Sequence, residues 1–199
     1  MIHRSFANQR SDYQFVAEQW RRLGRPRRVS SGSTRSEVLA IARYLLARSG
    51  QISYFGLHKL AYLAEYVHVR RSGRRLTSAY FIRQKDGPYC TDLALDRLQR
   101  ADDSIKVFKD GGRLCLRLGT SSTPELISTL PPISDEAKAA AEEALERYGD
   151  KNDAELKTVV YLTAPMRFLL RREQSTQINA YNAPIDFLAA RSTPSLQTA

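Results

Sequence analysis

The sequence predicts an α+β fold that is mostly α-helical, a compact helical domain with a small β-hairpin or sheet. Apolar residues recur at three- and four-residue steps after Ser53 and after Ser134, which is typical of helices that bury one face. The turn sequence Asp110-Gly111-Gly112 separates two short β-like runs and indicates a hairpin. Together these patterns predict several helices around one small β element.

The stretch from Ser53 to Cys90 is predicted to form the centre of the fold. Its helix carries an apolar stripe, and Ser53 stands where an N-cap hydroxyl is useful. Gly73 follows as a left-handed C-cap residue, because glycine has no Cβ to oppose a positive φ. A short strand is expected within residues 76–83, and the sequence from Lys85 to Tyr89 is expected to form a loop at Gly87-Pro88. The stripe consists of Leu57, Leu60, Ala61, Ala64, Val67 and His68.

Helices are also expected on both sides of this stretch. Thr34-Arg35-Ser36-Glu37 fits a capping box before an apolar run that ends near Gly50. A short helix is expected after Thr91 or Asp92, around Leu93, Leu95 and Leu98. Near the C-terminus, a helix from Ser134 stops at Gly149. Another begins at Asp150 or Asn152 and is interrupted at Pro165, before a last short helix over residues 166–172.

Three segments are predicted. Residues 1–33 form a basic N-terminal extension with a short helix over residues 11–23 and a linker. Residues 34–174 form the folded domain. Residues 175–199 form a C-terminal extension that is disordered at its end, since periodicity is lost there.

The chain carries a formal net charge of +10, and this charge is uneven. Residues 1–33 contribute +5 and residues 34–118 contribute +8, whereas residues 119–199 contribute −3. A basic excess in the first two thirds predicts a partner with an acidic surface, either nucleic acid or an acidic protein.

Localisation is predicted to be cytoplasmic. No apolar run is long enough to cross a membrane, and the N-terminus lacks the apolar segment of a secretory signal. Cys90 and Cys115 do not form a disulfide framework and are expected to be reduced thiols. No membrane partner is therefore expected.

The sequence contains little that points to catalysis, so the protein is not expected to be an enzyme. Metal-ligand, phosphate-loop, dinucleotide and nucleophile-elbow spacings are missing, and no cofactor or metal is predicted. His58 and His68 stand ten residues apart, which separates them by about 15 Å along a helix and prevents both from binding one metal ion.

Two interpretations are open for the polar and aromatic residues of this helix, Lys59, Tyr62, Tyr66 and His68. Lysine near tyrosines can form a recognition patch through hydrogen bonds and cation–π contacts. Alternatively, Lys59 extends over aromatic rims to reach water, and His68 is a half-buried core residue.

Two basic features suggest contact with nucleic acid. One is the arm with Arg25, Arg27 and Arg28, and the other is the hairpin with Lys109 and Arg113, which follows a helix as a wing does in winged-helix proteins. The simpler interpretation is that the arm is a solvated tail and that the charged residues of the hairpin lie on its solvent-exposed face.

The organising stretch resembles the SocA-like antitoxin family, also called the Panacea domain. The resemblance covers about residues 36–172. It rests on the order of these elements: Lys59-Leu60-Ala61-Tyr62-Leu63, His68, Gly73-Arg74-Arg75-Leu76, Phe81, Gly87-Pro88, Arg147-Tyr148-Gly149, and Leu156 followed by Leu162-Thr163-Ala164-Pro165-Met166.

The chain also departs from the family pattern. The family often has a tryptophan shortly before the Gly-Pro turn, where this chain has Gln84-Lys85. Many members have a histidine and a tryptophan where Ala164 and Met166 stand. These changes bear on the partner surface rather than on the fold.

The resemblance implies an antitoxin that binds a toxin encoded beside it, in prokaryotes or their phages. The implied partners are the cognate toxin, an AAA+ protease if the protein is a proteolytic adaptor, and operator DNA if it regulates its own operon. A homodimer through residues 11–23 and Trp20 is a further candidate. The residues expected to frame the contact are Lys59, Tyr62, Tyr66, His68, Gly87, Pro88 and Tyr89. The alternative is a winged-helix-like transcriptional regulator.

Overall fold

The computed structural model describes residues 33–119 and 132–189, together with Gln14, residues 16–18 and Arg21. Within these residues the fold is mostly helical with small antiparallel sheets, which confirms the predicted class. The helices are α1 (Ser33–Ser49), α2 (Tyr54–Ser72), a 3-10 turn (Thr91–Leu93), α3 (Leu95–Ala101), α4 (Asp135–Tyr148), α5 (Asp153–Leu162) and α6 (Ala164–Thr176). The strands are β1 (Gln51–Ser53), β2 (Phe81–Gln84), β3 (Gly87–Cys90), β4 (Ile105–Asp110) and β5 (Arg113–Leu118).

Helix α2 lies at the centre of the molecule. It packs against α1, α4, α5 and β3, and residues 56–65 and 67–69 are all buried. The prediction that this helix buries only one face is therefore wrong. A helix surrounded by other elements needs no polar face, and its buried polar residues must find partners within the protein.

Both predicted caps of α2 are confirmed. The Ser53 hydroxyl accepts a hydrogen bond from the Gly56 N–H at 2.8 Å. Gly73 has φ +77° and its N–H donates to the Val69 carbonyl. These contacts satisfy backbone groups that helix ends leave unpaired.

The predicted hairpin is confirmed as β4–β5, which β1 extends to a three-stranded sheet in the order β1-β5-β4. Gly111 and Gly112 both have positive φ in its turn. The register pairs Lys106 with Arg117 on one face and Val107 with Leu116 on the other.

The second hairpin, β2–β3, differs from the prediction. Gly87, Pro88 and Tyr89 belong to strand β3 rather than to a loop, and the turn is confined to Lys85 and Asp86. Gly87 has φ +96°, which suits the end of so short a turn. Proline is tolerated in β3 because it pairs opposite Arg83 at a position that needs no N–H for the ladder.

The helix boundaries agree with the sequence except at α1, α3 and α6. The helix expected after Thr91 or Asp92 is a 3-10 turn over Thr91–Leu93 followed by α3, which begins at Leu95 without a side-chain cap. Ser134 caps α4, and Asn152 caps α5 in a capping box with Glu155. Helix α1 begins at Ser33, before the predicted cap at Thr34, and the Glu37 carboxylate accepts hydrogen bonds from Ser78. Helix α6 begins at Ala164 with Pro165 in its first turn and is longer than predicted.

The C-terminal segment belongs to the core at least as far as Phe187. Backbone hydrogen bonds join residues 182–185 to the open edge of β2, and Ala180, Ala183, Ile185 and Phe187 are buried. Residues after the predicted domain boundary at 174 therefore contribute to the core. Residues 190–199 lie outside the described residues.

The N-terminal segment is described at a few positions. Gln14, residues 16–18 and Arg21 are helical, and Val16 packs against the core. Trp20 and the linker arginines Arg25, Arg27 and Arg28 lie outside the described residues.

Cys90 and Cys115 are buried and form no disulfide, and burial raises the pKa of both thiols. In the described part of the chain, no helix is long and apolar enough to cross a membrane.

Candidate partner-binding site

Two successive residues of α2 hold the outer edge of β3. The Lys59 ammonium donates a hydrogen bond to the Pro88 carbonyl at 2.8 Å. The Cys90 N–H donates to His58 Nδ1 at 3.1 Å. Side chains of a central helix thus satisfy the backbone groups that a two-stranded sheet leaves unpaired on this side.

Aromatic rings enclose the His58 imidazole. The Tyr89 ring stacks on it with centroids 4.2 Å apart, and the Tyr54 ring meets it edge-on at 4.7 Å. The Tyr54 and Tyr89 hydroxyls lie 3.1 Å apart, and the Tyr54 oxygen also accepts from the Leu95 N–H. These contacts fix the rings in one arrangement.

A pocket of about 510 Å³ opens between the first half of α2 and the β2–β3 turn. Its lining residues are Tyr54, Phe55, His58, Lys59, Gln84, Lys85, Asp86 and Tyr89. The volume lies in the range of small-ligand sites and would hold one or two side chains of a partner protein. We call this the α2–hairpin pocket.

Burial sets the protonation of the two α2 residues in the pocket. Desolvation, aided by the nearby Lys59 charge, lowers the pKa of His58 to about 3. The imidazole is therefore neutral at physiological pH. Because Nδ1 accepts the Cys90 N–H, the proton stands on Nε2.

Lys59 stays cationic at neutral pH although it is only 3% exposed. Desolvation lowers its pKa to about 8, while the Asp86 charge opposes that decrease. The ammonium lies 4.3 Å from the centroid of the Phe55 ring, which is a cation–π contact. Asp86 itself is bound to Lys157 at 2.7 Å, and this hydrogen bond keeps the pKa of Asp86 below its usual value.

The structure separates the residues that the sequence had grouped as one exposed face. Tyr62 is fully buried, and its hydroxyl is hydrogen-bonded to the Thr163 hydroxyl at 2.7 Å. Tyr66 is half-buried and stacks on Tyr62 with centroids 6.4 Å apart. His68 is 2% exposed and does not line the pocket, so it is more deeply buried than either reading had it. An exposed patch of Lys59, Tyr62 and Tyr66 is therefore excluded.

Gly87 and Pro88, at the start of β3, have a structural role. Gly87 and Pro88 are buried, and a Cβ on Gly87 would come within 3.3 Å of the Tyr161 and Val160 side chains. Among the predicted contact residues, Tyr89 and Lys59 are those that line the pocket.

The other lining residues were not among the predicted contact residues: Tyr54, Phe55, His58, Gln84, Lys85 and Asp86. Tyr54 stands four residues before His58, and Phe55 stands four residues before Lys59, a helical spacing that could have grouped them. Lys85 comes from a turn whose distance from α2 no local pattern reveals.

The two candidate nucleic-acid residues in the described part of the chain are exposed. Lys109 and Arg113 flank the β4–β5 turn, next to Asp110. No group of three or more metal-ligating side chains occurs among the described residues.

The fold is thus a mostly helical α+β domain with an aromatic and cationic pocket beside its central helix. The sequence profile described as antitoxin SocA-like, Panacea domain, matches residues 57–165, more than half of the chain. The chain belongs to this family, as the resemblance implied. No curated protein and no solved structure matches the chain. Family membership supports an antitoxin role in general and favours a role that is not catalytic.

Proposed function

We propose that this protein neutralises a cognate toxin by direct protein–protein binding, with the α2–hairpin pocket at the centre of the contact surface. The observation that carries the proposal is the pocket itself: a preformed concave site with aromatic walls and cationic groups, in a chain of an antitoxin family. Preformed sites bind tightly because little conformational freedom is lost on association.

Further aromatic, cationic and apolar side chains of the domain suit a protein partner. Tyr161 donates a hydrogen bond from its hydroxyl to the Lys85 carbonyl, and the exposed Tyr181 ring lies 4.6 Å from the Arg83 guanidinium. Leu162, at the end of α5, is 67% exposed. Tyrosine and arginine are enriched at the centres of protein interfaces, where they provide large contact areas.

The test is a charge reversal at the rim of the pocket. Lys85→Glu changes an exposed side chain, whereas the contact with Tyr161 uses the backbone carbonyl, so the fold should be retained. Lys138→Glu is the matched control because Lys138 is also exposed but lies on α4. Each variant is expressed with the toxin encoded by the adjacent gene. Growth rescue and co-purification should fail for the first variant and persist for the second.

Equal rescue by both variants would exclude the pocket as the contact site. An adjacent gene product that is neither toxic nor bound would exclude the function itself. Delivery of the toxin to an AAA+ protease is a finer form of the proposal. It requires the toxin level to fall on co-expression and to recover when the protease is absent.

A transcriptional regulator is the second candidate, favoured by the sheet order β1-β5-β4 and by an exposed basic hairpin. Lys106, Lys109, Arg113 and Arg117 are all exposed on that hairpin. The helix before it, α3, carries Asp96 paired with Arg100, which reduces its attraction for phosphate. DNA binding predicts a linear loss of log affinity with log salt concentration. A gel shift of promoter DNA that Lys109→Glu plus Arg113→Glu abolishes would support this candidate.

A further inference from the structure

Among the residues that line the α2–hairpin pocket, His58 has a buried hydrogen-bond donor without an acceptor in the described part of the chain, and Lys59 has fewer acceptors than donors. His58 is 2% exposed, and its Nε2 has no hydrogen-bond partner among the described residues. Since Nδ1 accepts the Cys90 N–H, Nε2 carries a proton and is a donor. An unsatisfied buried donor is rare in native proteins and is a sign of a missing partner.

The adjacent residue shows the same imbalance. The Lys59 ammonium has three N–H donors, and the structure gives it one acceptor, the Pro88 carbonyl. No carboxylate of the described residues forms an ion pair with Lys59. The charges of Asp86 and Asp153 act on it, but Asp86 is paired with Lys157 and Asp153 accepts a hydrogen bond from the Ser53 hydroxyl. A buried cation without an anionic partner is unfavourable, so a ligand that supplies negative charge would relieve this cost.

The rest of the pocket adds charge and aromatic surface. Lys85 is exposed at its rim, and Tyr54, Phe55 and Tyr89 form its walls. Asp86 is the one acid among the lining residues, and its charge is already matched by Lys157. Asp153 also acts on the Lys59 ammonium but does not line the pocket. The complementary ligand has an anionic acceptor next to an apolar or aromatic group.

We infer that the α2–hairpin pocket is a carboxylate-binding site that captures an acidic group flanked by an aromatic residue in a partner polypeptide. The carboxylate accepts hydrogen bonds from His58 Nε2 and the Lys59 ammonium, and the neighbouring side chain lies against the tyrosines. The identification of this polypeptide as the toxin rests on the proposed function. The affinity of the pocket for a carboxylate is independent of the proposed function.

His68 provides an internal comparison. It is buried like His58 and both of its nitrogens lack partners among the described residues, yet it does not line the pocket. The combination of an unsatisfied donor, a buried ammonium and an open pocket is found at His58 and Lys59.

The test titrates three small probes into the full-length protein and monitors their binding by ¹H–¹⁵N NMR. N-acetyl-phenylalanine has a free α-carboxylate, N-acetyl-phenylalanine amide has none, and N-acetyl-phenylalanyl-glutamic acid α-amide carries its carboxylate in the glutamyl side chain. The amide signals of Tyr89 and Cys90 report on the site, because Cys90 N–H is bonded to His58. At least one acid should bind about tenfold or more tightly than the neutral amide, since hydrogen bonds to charged groups are the stronger ones.

The two acids distinguish the sources of the carboxylate. Tighter binding of N-acetyl-phenylalanine indicates a polypeptide C-terminus, and tighter binding of the glutamyl probe indicates an internal acidic residue. Equal binding of acids and amide, or no shift at Tyr89 and Cys90 up to about 10 mM of any probe, would overturn the inference.

Substitutions identify the positive charge that produces the preference for the acid. Lys59→Met keeps the length of the side chain and removes the charge, and Lys138→Met is the matched control on α4. The preference for the acid should disappear in the first variant alone. If Lys59→Met does not fold, Lys85→Gln replaces it, and the preference should then fall several-fold. Binding of the acids by a protein whose Lys85→Glu variant still rescues growth would keep this inference and reject the pocket as the toxin contact.

Discussion

The hydroxyl groups of Tyr62 and Thr163 are hydrogen-bonded at 2.7 Å in the interior of the protein and join the central helix α2 to the start of α6. The Thr163 hydroxyl also contacts the Val160 carbonyl at 2.6 Å. The Tyr62 ring packs against Phe81 and Phe187, with centroids 5.7 and 5.0 Å away. Tyr62 therefore connects α2, β2, α6 and the C-terminal segment.

Substitutions at Tyr62 should affect stability and not the partner directly. Tyr62→Phe retains the ring and should cost about 1–2 kcal/mol of unfolding free energy through one lost hydrogen bond. Tyr62→Ala should cost about 3–5 kcal/mol because it leaves a large cavity. Urea denaturation followed by circular dichroism measures both values. Growth rescue should persist in Tyr62→Phe, and its loss at retained stability would return Tyr62 to the contact surface.

Glu65 anchors the connection that follows α2. Its carboxylate is 1% exposed and accepts hydrogen bonds from the Arg75 guanidinium, the Leu76 N–H, and the N–H and hydroxyl of Thr77. Glu65→Gln replaces a charged acceptor with a neutral one and should cost about 2–4 kcal/mol in denaturant unfolding.

The matched control for Glu65 is Glu136→Gln. Glu136 also pairs with an arginine, Arg74, but both side chains are more than half exposed, so the loss should stay below about 1 kcal/mol. Equal losses in the two variants would contradict the assignment of Glu65 as a buried anchor.

The sequence was sufficient for elements whose signals are local. The caps Ser53, Gly73 and Ser134 and the hairpin turn at Gly111-Gly112 follow from the backbone groups that each residue satisfies, and all are present. The family was also identified from ordered local motifs. Such features need no knowledge of what packs against them.

The environment of α2 could not be predicted in this way. Its apolar stripe implied one buried face, but α4 and β3 cover the remaining faces, including Lys59 and His58. Polar residues at those positions look exposed in a sequence because their partners, the Pro88 carbonyl and the Cys90 N–H, belong to a strand about thirty residues away. The pocket was missed for the same reason.

His68 should be replaceable by a residue without polar atoms. Both of its ring nitrogens are buried without partners among the described residues, which is an unfavourable arrangement. His68→Leu should therefore raise the unfolding free energy by about 1 kcal/mol or more, measured by urea denaturation. Rescue of growth should be unchanged, since His68 does not line the α2–hairpin pocket. A loss of stability would show that the imidazole has a partner that this structure does not describe.

Protonation of His58 should make the protein less stable in mild acid. The pKa of His58 is about 3 in the folded protein, against 6.5 for an unperturbed histidine, because burial opposes the charge. Above pH 6.5 both the folded and the unfolded state hold a neutral imidazole, and this group contributes no pH dependence. Below pH 6.5 the imidazole binds a proton in the unfolded state but not in the folded state. The unfolding free energy therefore falls as pH decreases toward 3.

The expected slope approaches about 1.4 kcal/mol per pH unit near pH 5, above the range in which the acids Asp86 and Asp102 begin to titrate. Urea denaturation at a series of pH values between about 7 and 5 measures it. His58→Gln is the comparison variant, since glutamine can still accept the Cys90 N–H but does not titrate. The difference in slope between the two proteins isolates His58 from the other histidines. If the slopes are identical, the imidazole is not held in neutral form by burial, and Nδ1 would not be the acceptor of the Cys90 N–H from which the proton on Nε2 is assigned.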